Sequence, residues 1–144
     1  MRSFDIKAIV VACNTVSAVA LETVASEIDV PMFGVVWPAC RKAAQISKNG
    51  RIGIIGTQAT IRSGVYERML KRTRPDLEIF TKACPLFVPL VENGRVQRGD
   101  IVIETVAAEY LAELRAKNID TLILGCTHYP LLQEVIASCM GPDV

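Results

Sequence analysis

Two segments of this chain place a cysteine where an apolar run gives way to polar side chains. Cys13 ends the run in "AIVVACNT" (residues 8–15), and Cys126 ends the run in "TLILGCTH" (residues 121–128), where His128 is the only histidine of the chain. Each cysteine follows one small residue and precedes a predicted helix. Two thiols in the same local setting indicate shared chemistry rather than two unrelated core positions.

The start of a helix is a favourable place for an anion. The first N–H groups of a helix have no partner within it and carry a partial positive charge. A thiol there is expected to ionise more easily than its ordinary pKa of about 8.5 implies, and the same N–H groups can hold a substrate carboxylate. Asn14, Thr15 and Thr127 follow the cysteines and can either cap the helices or hydrogen-bond a ligand.

A pair of thiols suits the inversion of a carbon stereocentre through a carbanion. One thiolate removes a proton and a thiol on the opposite face returns one, provided that both pKa values lie near the working pH. Other readings stay open. A disulfide would join the two cysteines, whereas a metal would need more close ligands than one histidine supplies. A nucleophilic pair of Cys126 and His128, as in thiol hydrolases, leaves Cys13 unexplained, and either cysteine alone could be a core thiol.

Composition predicts a globular protein without an electrostatic partner surface. The 144 residues, a length typical of one domain, are 51% hydrophobic and 22% charged, which is enough to build a core. With 16 basic and 15 acidic residues, the net charge of +1 gives no footprint for nucleic acid or an anionic membrane. The apolar start is too short for a signal peptide or a membrane span, so we expect the chain in the cytoplasm.

The five cysteines are expected to be free thiols. Their number is odd, no two have CxxC spacing, and the cytosol keeps thiols reduced. Cys40, Cys84 and Cys139 are predicted to be small buried hydrophobic residues. Three aromatic side chains on predicted helix faces are assigned to packing only: Tyr66, Tyr110 and Tyr129.

Strands and helices alternate along the chain. Apolar runs predict strands at 6–12, 32–36, 51–57, 77–83 and 120–125, the fourth of them possibly at a sheet edge. Helical spacing predicts helices at 14–28, 38–49, 59–73 (with Gly64 as a weak point), 101–118 and 130–140, and residues 84–100 are predicted to be mostly loop. This alternation predicts an α/β fold with a mostly parallel sheet flanked by helices. Such sheets bind ligands at the carboxyl ends of their strands, where both cysteines lie.

The cysteine segments resemble those of a known family. "VVACNTVSA" and "LGCTHYPLL" are similar to the two cysteine motifs of glutamate racemase, in the aspartate/glutamate racemase superfamily, and "GIIGTQATIRSGVY" and "CPLFVPLVENG" are similar to its central segments in the same order. The resemblance implies a two-base interconversion of L- and D-glutamate that needs no cofactor or metal and supplies D-glutamate for peptidoglycan. By the same resemblance, Cys13 works on D-glutamate and Cys126 on L-glutamate.

The resemblance also implies roles for polar residues. Glu92 and His128 match groups that support the second cysteine, so the implied catalytic set comprises Cys13, Cys126, His128 and Glu92. The implied substrate-binding residues are Asn14, Thr15, Thr57, Thr60 and Thr127. The resemblance implies glutamate as the small-molecule partner and is compatible with a homodimer. Helix capping by the threonines and an ordinary loop position for Glu92 are the alternatives to these roles.

The family fold consists of two similar α/β domains with the active site between them. On this pattern, residues 1–30 form part of a first domain and residues 31–144 a second domain whose last residues head back to the first. The family's DSG-type motif, whose aspartate and serine assist the first cysteine, has no match before residue 13, and the family continues beyond "MGPDV". We therefore expect an internal fragment that is weakly active or inactive by itself.

Two functional alternatives remain on sequence grounds. The first is an aspartate or other amino-acid racemase of the same superfamily, because "ACNT" suits several of its members. The second is a non-catalytic α/β module that binds a small anion at its helix starts.

Overall fold

The fold is known from a computed structural model, and the structure describes residues 5–144. The strands are β1 (Ile9–Val11), β2 (Met32–Gly34), β3 (Arg51–Gly56), β4 (Glu78–Ala83) and β5 (Thr121–Gly125). The α-helices are α1 (Asn14–Val19), α2 (Leu21–Ala25), α3 (Val36–Ile46), α4 (Gln58–Ser63), α5 (Val65–Thr73), α6 (Phe87–Glu92), α7 (Ile101–Arg115) and α8 (Gln133–Met140). A 3₁₀-helix over Tyr129–Leu132 leads into α8.

All strand pairs described in the structure are parallel, and they form two sheets. β1 pairs with β2 in a small sheet, and β4, β3 and β5 form a second sheet with β3 in the centre. The predicted α/β fold with parallel sheets flanked by helices is confirmed, and β4 lies at a sheet edge as predicted. The predicted domain boundary at residues 30 and 31 falls between the two strands of the small sheet and stays a prediction.

β3 is central because its side chains are apolar on both faces. Ile52, Ile54 and Ile55 are fully buried, as expected for a strand covered by helices on both sides. One apolar cluster joins Ile52 and Ile54 to helices α3 and α5, and the other joins Ile55 to α6, α7, the 3₁₀-helix and α8. The packed core therefore holds the three-stranded sheet in place, and with it the segments that follow the carboxyl ends of its strands.

β3 and β5 end side by side, and glycines permit their close approach. Gly56 and Gly125 are register partners at the carboxyl ends of the two strands. A β-carbon at Gly125 would lie 2.6 Å from the carbonyl oxygen of Ile55, which is closer than a side chain tolerates. Thr57 and Cys126 therefore leave the sheet at the same edge.

Several predicted helices differ in detail from the observed ones. The helix predicted at 14–28 is divided into α1 and α2 at Ala20, and the helix at 59–73 is divided at Gly64, whose φ of 63° is left-handed. Residues 84–100 are mostly outside helices and strands, as predicted, but the short helix α6 forms within them and was not predicted. Pro89 is compatible with α6 since it lies in the first turn, where a backbone N–H has no partner within the helix.

The small sheet leaves apolar side chains in solvent. Val10 of β1 is 70% exposed and its register partner Phe33 of β2 is 57% exposed. This uncovered face contrasts with the three-stranded sheet, whose central strand is covered on both sides. Among the helices of residues 5–144, none is long and apolar enough to span a membrane.

The remaining cysteines pack largely as predicted. Cys40 and Cys84 are fully buried, and burial raises the pKa of each thiol to about 12. Cys139 on α8 is partly exposed rather than buried, and it packs against the margin of the core cluster that contains Ile55. All five cysteines are free thiols.

Candidate active site

The two motif cysteines follow strands of different sheets and lie near each other. Cys13 follows β1, forms the N-cap of α1 and is exposed to solvent. Cys126 follows β5 and is only 8% exposed. Their segments meet, because the hydroxyl of Thr15 lies 2.9 Å from that of Thr57, and Thr57 follows Gly56, the register partner of Gly125. Negative charge on Cys13 also raises the pKa of Cys126.

The ionisation predicted for a thiol at a helix start is wrong for Cys126. Burial raises the pKa of Cys126 above its ordinary value, and charge on Cys13 raises it further. The backbone N–H groups of His128 and Tyr129 and the side chain of Thr127 lower the pKa, but less than burial raises it. Burial therefore favours the neutral thiol form of Cys126.

His128 lies between the Cys126 thiol and the carboxylate of Glu92. The Nδ1 atom of His128 lies 3.8 Å from the Cys126 sulfur, and its Nε2 atom lies 3.3 Å from a carboxylate oxygen of Glu92. A carboxylate on one ring nitrogen sets which nitrogen carries the proton and which faces the thiol. The predicted grouping of Glu92, His128 and Cys126 is thus present in space, and α6 is the element that delivers Glu92.

Three threonine hydroxyls join the two cysteine-bearing parts of the chain. The Thr15 hydroxyl lies 2.9 Å from that of Thr57 and 3.0 Å from that of Thr60, and Thr57 and Thr60 are 3.0 Å apart. Thr57 also accepts a hydrogen bond from the Thr60 N–H, so it caps α4. Thr57 is therefore a helix cap, as the alternative expectation had it, and it also bonds to Thr15. Thr15 itself caps no helix.

Asn14 is buried and anchored by a residue that sequence reasoning missed. The Tyr66 hydroxyl donates a hydrogen bond to Asn14 Oδ1 at 2.5 Å. Tyr66 was assigned to packing alone, and its ring does pack in the apolar core. A tyrosine instead of a phenylalanine at a buried position is the one signal for a polar partner. Tyr129 has such a partner as well, since its hydroxyl donates to the Cys84 carbonyl oxygen at 2.9 Å.

The predicted site residues thus form two groups around the cysteines. Asn14, Thr15, Thr57 and Thr60 lie together on the Cys13 side, and Glu92, Thr127 and His128 lie on the Cys126 side. Within residues 5–144, no three His, Cys, Asp or Glu side chains are grouped as ligands for a metal ion. The arrangement offers two thiols, one imidazole and several neutral hydrogen-bond donors at the carboxyl ends of strands from the two parallel sheets.

Comparison with known proteins gives a consistent set of relatives. A curated glutamate racemase from Geobacter metallireducens is 49% identical over 140 residues, covering 97% of this chain and 51% of the relative. The crystal structure of a glutamate racemase isoform from Bacillus anthracis superposes with a TM-score of 0.93 at 40% identity, covering 99% of this chain and 53% of that one. The crystal structure of a glutamate racemase from Francisella tularensis in complex with D-glutamate superposes with a TM-score of 0.84 at 38% identity. The match covers 94% of this chain and 50% of that one.

The family model for Asp/Glu/Hydantoin racemase matches residues 1–144. The chain spans about half the length of the curated relatives it matches. These matches confirm the resemblance drawn from the two cysteine motifs, and the chain belongs to the Asp/Glu/Hydantoin racemase family.

Proposed function

We propose that this chain carries both acid–base cysteines of a cofactor-independent glutamate racemase. The observation that carries the proposal is that the segments after the two cysteine-bearing strands meet: the hydroxyl of Thr15 lies 2.9 Å from that of Thr57. Thr57 follows Gly56, which is the register partner of Gly125, the residue before Cys126. Relatives named glutamate racemase, one of them in complex with D-glutamate, support glutamate as the substrate.

In the proposed reaction, glutamate lies with its α-carbon between the two sulfurs. The Cys126 thiolate removes the α-proton of L-glutamate, and the electron pair of the C–H bond delocalises into the adjacent carboxylate. The Cys13 thiol then delivers its proton to the opposite face, which gives D-glutamate and leaves a Cys13 thiolate. From D-glutamate the two cysteines exchange roles, and two chemically alike groups suit both directions.

His128 and Glu92 prepare Cys126 for this step. Because burial raises the pKa of Cys126, the thiolate forms at neutral pH only if a base receives its proton. His128 Nδ1 faces the sulfur at 3.8 Å, and Glu92 stabilises the imidazolium that results through its contact with Nε2. The pair therefore holds the proton while Cys126 acts as a base.

The neutral donors around the cysteines are proposed to hold the substrate. Asn14, Thr15, Thr57 and Thr60 lie together beside Cys13, and Thr127 follows Cys126. Hydroxyl and amide groups bind carboxylates without introducing a charge that would perturb the cysteine pKa values. The proposed biological role is the supply of D-glutamate for peptidoglycan and cell shape, with a cytoplasmic location and a homodimer as further parts of the proposal.

The test uses a grafted enzyme, defined as the Geobacter metallireducens relative with its matching half replaced by this chain. We expect it to racemise glutamate, as measured by circular dichroism of either enantiomer, and to exchange the α-hydrogen with solvent deuterium. C13S and C126S are each expected to lower the rate by more than about 100-fold, since each removes an acid–base group. C139S is the control, because Cys139 is a free, partly exposed thiol on α8, outside the proposed site.

The outcomes separate clearly. A grafted enzyme that folds but does not racemise glutamate contradicts the proposed function. Racemisation that survives in C13S or C126S contradicts the two-base mechanism, because one cysteine then suffices. Equal losses in C139S and C126S would show that the effect belongs to any cysteine substitution.

A further inference from the structure

Tyr66 is hydrogen-bonded to one cysteine motif and lies beside the other. Its hydroxyl donates to Asn14 Oδ1 at 2.5 Å, and Asn14 is the residue after Cys13. Its ring packs beside Gly125, the residue before Cys126, because a β-carbon at Gly125 would lie 3.5 Å from the Cε2 atom of Tyr66. The side chain of Tyr66 thus links the segment after Cys13 to the residue before Cys126.

Both partners of this hydrogen bond are buried. Tyr66 is 3% exposed and Asn14 is 9% exposed. Burial raises the pKa of Tyr66, and negative charge on Cys40 and Cys126 raises it further. The hydroxyl therefore stays protonated and remains a donor throughout the neutral range.

A donor on Oδ1 determines where the rest of the carboxamide points. Asn14 has one acceptor oxygen and one NH₂ group with two donors. Since Tyr66 occupies the oxygen, the NH₂ group lies on the other side of the carboxamide and is available to an acceptor. The hydrogen bond also restricts side-chain rotation at the first residue of α1, directly after Cys13.

We infer that Tyr66 is a positioning residue, which orients the Asn14 carboxamide as a donor for the substrate and keeps the two cysteine motifs in fixed relation. The inference rests on the proposed function, because it concerns how the racemase site binds its substrate. Tyr66 itself touches no reacting atom, so its contribution passes through Asn14.

Y66F removes the hydroxyl and keeps the ring that packs beside Gly125. In the grafted enzyme we expect KM for each enantiomer to rise about tenfold, the worth of one hydrogen bond, with kcat nearly unchanged. An interaction that holds substrate and transition state alike affects KM and not kcat. Because L- and D-glutamate are equally stable, kcat/KM must fall by the same factor in both directions.

A double-mutant cycle separates positioning from general destabilisation. We expect N14A to raise KM at least as much as Y66F does, and Y66F to have no further effect on KM in the N14A background. Y129F is the matched control, because it removes the hydroxyl of another buried tyrosine bonded to a carbonyl oxygen. The effect of Y129F is expected to be the same with and without N14A.

N14D keeps the test decisive if Y66F does not fold. An aspartate at position 14 still accepts a hydrogen bond from Tyr66 but lacks the NH₂ donors. We expect N14D to fold and to raise KM, and a normal KM in folded N14D overturns the inference. The chain alone supplies a second measurement, since the urea unfolding midpoint should show the same non-additivity between Y66F and N14A.

The inference and the proposed function fail in different ways. An active grafted enzyme in which Y66F leaves KM unchanged, or raises KM equally with and without N14A, overturns the inference alone. A folded grafted enzyme without racemase activity overturns the proposed function, and the inference falls with it.

Discussion

The hydroxyl of Thr15, two residues after the first motif cysteine, lies 2.9 Å from the hydroxyl of Thr57, which caps helix α4. Thr60 completes the triangle at 3.0 Å from each. Thr15 belongs to helix α1, which follows the first strand of the small sheet, and Thr57 follows the central strand of the larger sheet. Neutral hydrogen bonds therefore join the two cysteine-bearing parts of the chain beside the proposed substrate site.

The first prediction concerns the stability that Thr57 provides. T57V keeps the shape of the side chain but removes the cap of α4 and the bridge to Thr15, so we expect the free energy of unfolding to fall by about 1–2 kcal/mol. T73V is the control, because the Thr73 hydroxyl makes one exposed hydrogen bond to the Met69 carbonyl oxygen. Urea unfolding of the chain measures both, and equal losses in the two variants would contradict the structural role of Thr57.

The second prediction concerns Glu92. E92Q removes the charge that stabilises the protonated form of His128, so proton transfer at Cys126 becomes slower. We expect kcat/KM of the grafted enzyme to fall about tenfold in both directions. Only the proton transfer at Cys126 should become slower, because Glu92 acts through His128 on Cys126, which is the proposed base for L-glutamate only.

Isotope effects locate that change. In E92Q, the kinetic isotope effect on kcat/KM should rise for α-deuterated L-glutamate and fall for α-deuterated D-glutamate, since the Cys126 step becomes limiting. E109Q is the control, because Glu109 is exposed on α7. A rise for both enantiomers, or for D-glutamate alone, would show that Glu92 does not act through Cys126.

The third prediction concerns the pH dependence of stability through Asp120. Burial alone would raise the pKa of Asp120, but hydrogen bonds from the Asn49 N–H, the Ser47 and Thr121 hydroxyls and the Lys48 N–H together lower it below the ordinary value. A carboxylate whose pKa is lowered in the folded state stabilises the fold above its unfolded pKa of about 3.9. That stabilisation is lost as the pH falls through the folded pKa.

The matched pair for this prediction is D120N and D76N. We expect D120N to lower the free energy of unfolding by about 2 kcal/mol at neutral pH, and to lose less stability than the unsubstituted chain on acidification below about pH 4. Asp76 makes only an exposed ion pair with Arg74, so D76N should change stability little. Parallel stability curves against pH for D120N and the unsubstituted chain would refute this role of Asp120.

The fourth prediction concerns the chain by itself. Val10 and Phe33 expose an apolar face of the small sheet, and Cys13, which follows β1 of that sheet, is exposed as well. We expect a site that depends on Cys13 to be loosely held there, so that the isolated chain racemises glutamate weakly or not at all. Circular dichroism of D-glutamate with the chain and with the grafted enzyme measures the difference, and equal rates would contradict this prediction.

The sequence predicted the sheet well because buried parallel strands are nearly continuous apolar runs. "RIGIIG" and "TLILG" are short apolar runs between polar turns, a pattern typical of buried parallel strands, and both are strands at the expected positions. Helix α6 was missed because two prolines suggested a loop, whereas Pro89 lies where a helix tolerates it. Local patterns do not reveal which turn of a helix a proline will occupy.

The candidate site was predictable by residue type but not by geometry. Both cysteines, His128 and the threonines follow the carboxyl ends of strands, which is visible in the sequence. The raised pKa of Cys126 could not be predicted from the sequence, because burial depends on which residues the fold packs around the thiol. The hydrogen bond from Tyr66 to Asn14 was also invisible, since it joins residues from different elements.

The central claim is that Cys13 and Cys126 face a common site, and the pKa of Cys126 tests it without any assay of activity. The pH dependence of Cys126 alkylation by iodoacetamide, followed by mass spectrometry of the peptide, gives that pKa in the chain and in C13S, with C139S as control. We predict a pKa above the ordinary thiol value that decreases in C13S and is unchanged in C139S. An identical pKa for Cys126 with and without Cys13 would contradict the account, because the two thiols would then be too far apart to act on one carbon.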